Sequence, residues 1–132
     1  MFLGSYKPSF DKDSRRIALP KKIRDYLATS GIVLSYGFEE CIFGFDTRSF
    51  EKESEKQLAV SIADRSARNT RRFFFSSARH VELDNQGRFV IPGDLYQWAK
   101  ISDPLIIGAG DHFEIWEQEL WEEQKRRFGE KR

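Results

Sequence analysis

The sequence predicts an α+β fold made of two copies of one small unit, and three observations predict it. The segment Phe10-Asp11-Lys12-Asp13-Ser14-Arg15-Arg16-Ile17-Ala18-Leu19-Pro20 returns as Leu83-Asp84-Asn85-Gln86-Gly87-Arg88-Phe89-Val90-Ile91-Pro92. Each proline is followed by a short amphipathic stretch, in which Ile23, Tyr26 and Leu27 are answered by Leu95, Trp98 and Ala99. Two apolar runs joined by a glycine-containing connection then follow in both copies. Such a repeat means two copies of one fold rather than one domain around a single cleft.

Each unit reads strand, turn, strand, helix, strand, turn, strand. The helices are expected over residues 21–28 and 93–100, each opening at its proline, where the missing N–H would have had no partner anyway. Strands are expected at 32–34 and 41–45 in the first copy and at 105–107 and 113–116 in the second. A last helix closes each copy, over 47–58 and 118–128. In the latter, Leu120, Trp121, Gln124 and Phe128 make the inner face, with Glu122 and Arg126, and Glu123 and Arg127, spaced for i,i+4 ion pairs. The run Phe73-Phe74-Phe75 reads as a strand with aromatics on both faces, so at least one ring must meet the other half or another subunit. The chain thus divides into a first half, 1–58, a connecting helix or linker, 59–72, and a second half, 73–132.

The chain has 132 residues, so each half sits near the lower limit for a self-sufficient core, and the halves are expected to pack on each other. No apolar run reaches the length of a membrane span and the first residues do not read as a signal peptide, so a soluble, cytoplasmic protein with no membrane partner is expected. The single cysteine, Cys41, lies in an apolar run and is read as core. His80 and His112 have no Cys or His at metal-ligand spacing, so no metal is expected. The nine glycines are scattered and form no phosphate loop. No cofactor and no catalytic residue is therefore assigned, and an enzyme is the weaker class.

Charge placement says more than the net charge of +1. Up to residue 25, seven basic residues (Lys7, Lys12, Arg15, Arg16, Lys21, Lys22, Arg24) stand against Asp11, Asp13 and Asp25. A second basic stretch holds Arg65, Arg68, Arg71, Arg72 and Arg79, while the compensating acids lie in 39–55 and 111–123. A basic face on a nearly neutral protein suits phosphate binding. Arg65, Arg68 and Arg72 share one face if 61–72 is helical, and pairing with the acidic helix at 51–55 would account for them equally. The cluster at 12–24 falls in and beside the duplicated turn, and a two-stranded ribbon can enter the major groove of DNA; a merely solvated surface is the alternative.

The opening Met1-Phe2-Leu3-Gly4-Ser5-Tyr6, the Asp-x-x-x-Arg turns at Asp11 to Arg15 and Asp84 to Arg88, and the strand Phe113-Glu114-Ile115-Trp116 together resemble the bacterial MraZ proteins over nearly the whole chain. The resemblance implies two tandem AbrB-like swapped-hairpin β-barrel halves with flanking helices, neither closed without the other. It also implies a sequence-specific regulator of double-stranded DNA, a repressor of the cell-division and cell-wall gene cluster that includes its own gene, nucleoid-associated and bound to repeated promoter boxes as a ring-shaped homo-oligomer. Carried over residue by residue, the DNA-facing set is Lys12, Arg15, Arg16, Lys21 and Arg24 in the first half. Arginines suit base edges and lysines phosphates.

Asp11 and Asp84 are read as holding their turns, and Arg88, flanked by Glu82 and Asp84, as a scaffold or subunit contact, with a DNA contact as its alternative. The first turn is one residue longer than the second: counting from Asp11 selects Arg15 as the motif arginine, and counting back from Pro20 selects Arg16. Both remain open from sequence. The rival to the DNA-binding reading is a structural or protein-interaction module with an incidental basic face.

Overall fold

The computed structural model describes residues 1–27, 29 and 31–130. Fourteen elements follow in order: β1 (Ser5–Tyr6), β2 (Phe10–Asp11), β3 (Arg16–Ala18), α1 (Lys21–Arg24), β4 (Gly31–Tyr36), β5 (Ile42–Phe45), α2 (Thr47–Leu58), α3 (Arg65–Ser77), β6 (Arg79–Glu82), β7 (Arg88–Val90), α4 (Gly93–Trp98), β8 (Pro104–Gly108), β9 (Phe113–Glu117) and α5 (Gln118–Glu130). Both short helices begin after their prolines, Pro20 and Pro92. The first is shorter than expected: α1 ends at Arg24, and Ala28 of the expected 21–28 lies outside the described residues, as do Lys131 and Arg132 at the end of the second half.

Two antiparallel sheets result, one of order β1-β8-β9-β5-β4-β6 and one of order β2-β3-β7. The pairing exchanges strands between copies. β1 of the first copy pairs with β8 of the second, β6 of the second pairs with β4 of the first, and β3 pairs with β7. This is the tandem AbrB-like, hairpin-swapped α+β arrangement. The expected barrels are corrected in one respect: both sheets are open, because the large sheet is covered on each face by a separate layer instead of curling onto itself.

Those layers explain why the strands of the large sheet read as continuous apolar runs. On β4, Ile32 and Leu34 enter the inner core and Val33 the outer one; on β5, Ile42 points in and Phe43 and Phe45 out. The inner core lies beneath β2-β3-β7, α1 and α4 and holds Ile17, Leu19, Ile23, Phe89, Ile91, Leu95, Phe113 and Ile115. The outer core lies beneath α2, α3 and α5, where Phe50, Phe74, Leu120 and Trp121 meet Val33, Phe45 and Trp116. Cys41 is buried there, and burial pushes its thiol pKa up. Among the described residues, no helix is long and apolar enough to cross a membrane.

Two expectations are corrected by the helical layer. Phe73-Phe74-Phe75 is not a strand but the last part of α3, which Asp64 caps by accepting the Ala67 N–H at 2.8 Å. Successive residues of a helix diverge by about 100°, so the three rings fan out across one buried stripe. Phe74 is fully buried, Phe75 packs on Phe50, and Phe73 packs on Tyr36 and on Trp98 of the second copy. These rings are satisfied within the chain, and the argument from them to an oligomer lapses. On α5, Phe128 is 61% exposed rather than inward. Glu123 pairs with both Arg126 and Arg127, while Glu122 pairs with Lys125 instead of Arg126.

At the rim of the outer core, His112 lies against Phe43 and Phe45, with Nδ1 2.8 Å from Asp111 Oδ1 and Nε2 2.7 Å from Glu114 Oε2. Burial opposes charging of the ring, but the hydrogen bonds to Glu114 and Asp111 outweigh it and raise the pKa. A pKa raised by folding contributes stability that is full below the unfolded value, about 6.5, and is lost as pH rises through the folded value. Thermal unfolding of His112→Gln should therefore show its largest deficit against wild type near about pH 6 and a smaller one near about pH 9. A deficit that grows with pH would contradict a charged His112.

Candidate nucleic-acid interface

The register of β3 on β7 pairs Arg16 with Val90, Ile17 with Phe89 and Ala18 with Arg88. Side chains alternate, so Ile17 and Phe89 go into the core while Arg16, Ala18, Arg88 and Val90 occupy the outer face. Arg16 and Arg88 are thus diagonal neighbours across the seam between the copies, roughly 7–8 Å apart by strand geometry. They line one concavity of about 290 Å³ with Ser9, Phe10, Asp11, Ser14 and Ala18.

The same seam relates the two turns. Ile91 N–H donates to Arg15 O at 2.9 Å, and Leu19 N–H donates to Gly87 O at 2.9 Å. Arg15 has φ 60° and Gly87 φ 75°. Arg15 is therefore the counterpart of Gly87 and Arg16 the counterpart of Arg88, and the extra residue lies between Asp11 and Arg15. The count back from Pro20 gives the structurally equivalent arginine. Only glycine takes a left-handed backbone without strain, so the first turn holds Arg15 in a conformation that its neighbours must sustain.

Each turn is organised by its aspartate. Asp84 Oδ1 accepts the Gln86 and Arg88 N–H groups, both at 2.9 Å, and Oδ2 accepts Arg88 Nε–H at 2.8 Å. Asp11 accepts the Ser14 hydroxyl at 2.9 Å and the Asp13 N–H at 3.1 Å. These bonds favour the ionised form, led by Ser14 at Asp11 and by the Arg88 backbone at Asp84, and lower both pKa values. At Arg88 only Nε is engaged; among the described residues neither Nη group donates to a protein acceptor. The Arg16 guanidinium donates no hydrogen bond among the described residues, although its charge is felt by Asp11.

The remaining residues of the set do not all reach this face. Lys12 is exposed and donates to Ser102 Oγ at 3.2 Å, and Lys21 pairs with Asp25 at 3.1 Å in a solvent-exposed contact. Arg15 folds across the seam: Nε donates to Ile91 O at 3.0 Å and Cζ lies 6.0 Å from the Tyr96 ring centroid. Arg24 packs on Gly87, and its Nε is buried without a hydrogen-bond partner. The position of Arg88 beside Arg16, and the contacts of Tyr96, were not read from sequence. The alignment from the two prolines equates Tyr96, four residues after Pro92, with Arg24, four after Pro20, but carries no sign of what either side chain touches.

The second basic stretch is differently employed. Arg68 donates to Ile62 O at 2.9 Å and Ala63 O at 3.1 Å; Arg71 donates to the carbonyls of Gln57, Leu58 and Val60; Arg72 donates to Asn69. The alternative of pairing with the acidic helix is not what is found: among the described residues, Arg68 and Arg71 clip the end of α2 and the α2–α3 connection through backbone carbonyls, and Arg72 bonds Asn69 on its own helix. Arg79 pairs with Asp94 at 2.6 Å.

Comparison with known proteins agrees with the duplication. A family model described as "MraZ protein, putative antitoxin-like" matches residues 1–73 and again 74–131. The chain is 42% identical over 135 residues to the transcriptional regulator MraZ of Micrococcus luteus, covering 98% of this chain and 93% of that protein. It is 40% identical over 123 residues to the protein of that name from Salinispora tropica, and 37% identical over 123 residues to that from Roseiflexus sp. strain RS-1, each match covering 92% of this chain and 85% of the relative. With two matched repeats spanning almost the whole length and a strand exchange that joins them, the chain belongs to the MraZ family.

Proposed function

We propose that this chain is a DNA-binding transcriptional regulator that docks double-stranded DNA on the outer face of β2-β3-β7. The observation that carries this reading is the placement of Arg16 and Arg88 side by side on an exposed antiparallel face, each with terminal guanidinium nitrogens unengaged among the described residues. A planar guanidinium can make a bidentate contact with a guanine edge, and a β-ribbon fits the major groove. Lys12 and Lys21 at the flanks serve as phosphate contacts that set register, since the exposed Lys21 pair with Asp25 is weak enough to exchange for a phosphate. The names of the relatives support a regulator.

The finer reading takes the chain as a repressor of the cell-division and cell-wall gene cluster containing its own gene, acting in the cytoplasm at the nucleoid as a ring. Two exposed apolar sites support assembly. Leu58 at the end of α2, and Val60 and Ile62 on the connection after it, are 57%, 48% and 60% exposed beside the basic α3. Trp121 and Phe128 line a cavity of about 560 Å³ on α5, whose first turns are acidic. Unlike surfaces joined head to tail close into rings when the rotation permits. Tethered subunits on successive boxes would raise affinity by roughly 10²–10⁴. Ile62→Asp should then lower the molar mass seen by light scattering and weaken binding to multi-box duplex far more than to a single box; an unchanged mass would remove this site from the interface.

The test of the DNA reading is titration of the intact protein against duplex from upstream of its own gene, with a shuffled duplex as control, at several salt concentrations. Preference for the promoter duplex with a steep salt dependence is expected. Equal, weak binding to both would favour the protein-interaction module.

A further inference from the structure

The two turns are supported from across the seam, each by the helix of the other copy. Four residues beyond Pro20, Arg24 of the first copy lies over Gly87, the left-handed residue of the second turn. A Cβ at Gly87 would stand 2.2 Å from Arg24 Cδ and 2.6 Å from its Nε, so the arginine stem fills the space that a side chain there would need. Four residues beyond Pro92, Tyr96 of the second copy lies over the Arg15 guanidinium, at 6.0 Å, and stacks on Phe10 at 6.4 Å between centroids. The chemistry is complementary: where the left-handed position holds glycine, the helix supplies arginine, and where it holds arginine, the helix supplies an aromatic ring. Burying an arginine Nε without an acceptor is unfavourable, whereas a side chain reaching for DNA keeps that group in water. Packing of the stem on the Gly87 peptide accounts for the placement.

We propose that Arg24 and Tyr96 are positioning residues, each bracing the opposite copy's turn so that Arg88 and Arg16 stand on the DNA-docking face, and that Arg15 is the first turn's half of this brace rather than a DNA contact. The proposal rests on the DNA-binding reading above. It ties the two copies together at the site itself: neither arginine is held in place by its own copy alone.

The experiment compares Arg24→Met, Arg24→Ala, Tyr96→Phe and Tyr96→Ala with wild type in promoter-duplex titrations across salt, with amide hydrogen exchange at Gly87, Arg88, Arg15 and Arg16 measured without DNA. Arg24→Met keeps the stem and Tyr96→Phe keeps the ring, so both should bind within about twofold of wild type with an unchanged salt slope. The Ala variants should bind about tenfold more weakly, the cost of a misplaced bidentate contact, still with the slope unchanged because no phosphate contact is lost. Exchange should accelerate at residues 87 and 88 in Arg24→Ala and at residues 15 and 16 in Tyr96→Ala. If Arg24→Met lowers the slope by about one, Arg24 contacts phosphate and the brace is overturned. Unaltered exchange in the Ala variants overturns it as well, with no reference to DNA. A wild-type protein without preference for the promoter duplex overturns the DNA reading, while the exchange data still decide whether the brace exists.

Discussion

Arg16→Ala lowers affinity for the promoter duplex about tenfold or more and erodes the preference over a shuffled duplex, with the salt slope little changed because no phosphate contact is lost. The effect is large because Arg16 has an open guanidinium at the centre of the docking face, and nothing else on β3 could replace it: the next outward residue is Ala18. Folding should be little affected, since the side chain is exposed and outside both cores. Arg88→Ala should lower affinity by a comparable factor and also loosen its turn, because Asp84 loses the Nε–H it accepts at 2.8 Å. The measurement is anisotropy titration with the oligomeric state monitored in parallel. An affinity within twofold of wild type for Arg16→Ala would remove the face of β2-β3-β7 from the DNA contact.

Phe113→Ala destabilises the fold by about 3–5 kcal/mol, the range for truncating a buried aromatic. Phe113 is fully buried in the inner core, with Phe2 edge-on at 5.8 Å. It stands opposite Gly44 across the β5–β9 pair, and a Cβ on Gly44 would lie 2.2 Å from its ring. The ring therefore fills the hole that the glycine leaves, at the junction of the central strands from the two copies. Its loss opens a cavity bordered by both halves, so denaturant unfolding should shift to a lower midpoint as one transition. Two separated transitions would show that the copies fold independently and would contradict the strand exchange as the basis of stability.

Much of this architecture was legible because local chemistry and global fold agree. The helix expected at 47–58 is α2 residue for residue, set by Asp46, which accepts the Ser49 N–H at 2.7 Å, and by the apolar strand just before it. The duplication was visible because both turns carry an aspartate, an arginine and a proline. The Phe run was misread because three consecutive aromatics carry no periodicity of their own; the decisive signal was upstream, at the Asp64 cap and the arginines at helical spacing. The choice between Arg15 and Arg16 could not be made from one dimension. A single inserted residue is placed by hydrogen bonds that cross the seam, from Ile91 to Arg15 and from Leu19 to Gly87, and these join residues about seventy positions apart. The same holds for the site. Arg24 is expected at the DNA because it is basic and follows the basic turn, whereas its packing on the other copy's Gly87 joins residues far apart in sequence and leaves no trace in either copy alone.

In the proposed complex one composite face, built from both copies, meets DNA. The most direct measurement is hydrogen–deuterium exchange of the intact protein with and without its promoter duplex, resolved to short peptides. Protection is expected to appear together over residues 10–18 and 84–90, with α3 residues 65–72 unchanged. Protection confined to residues 65–72, or to the first turn without the second, would contradict it.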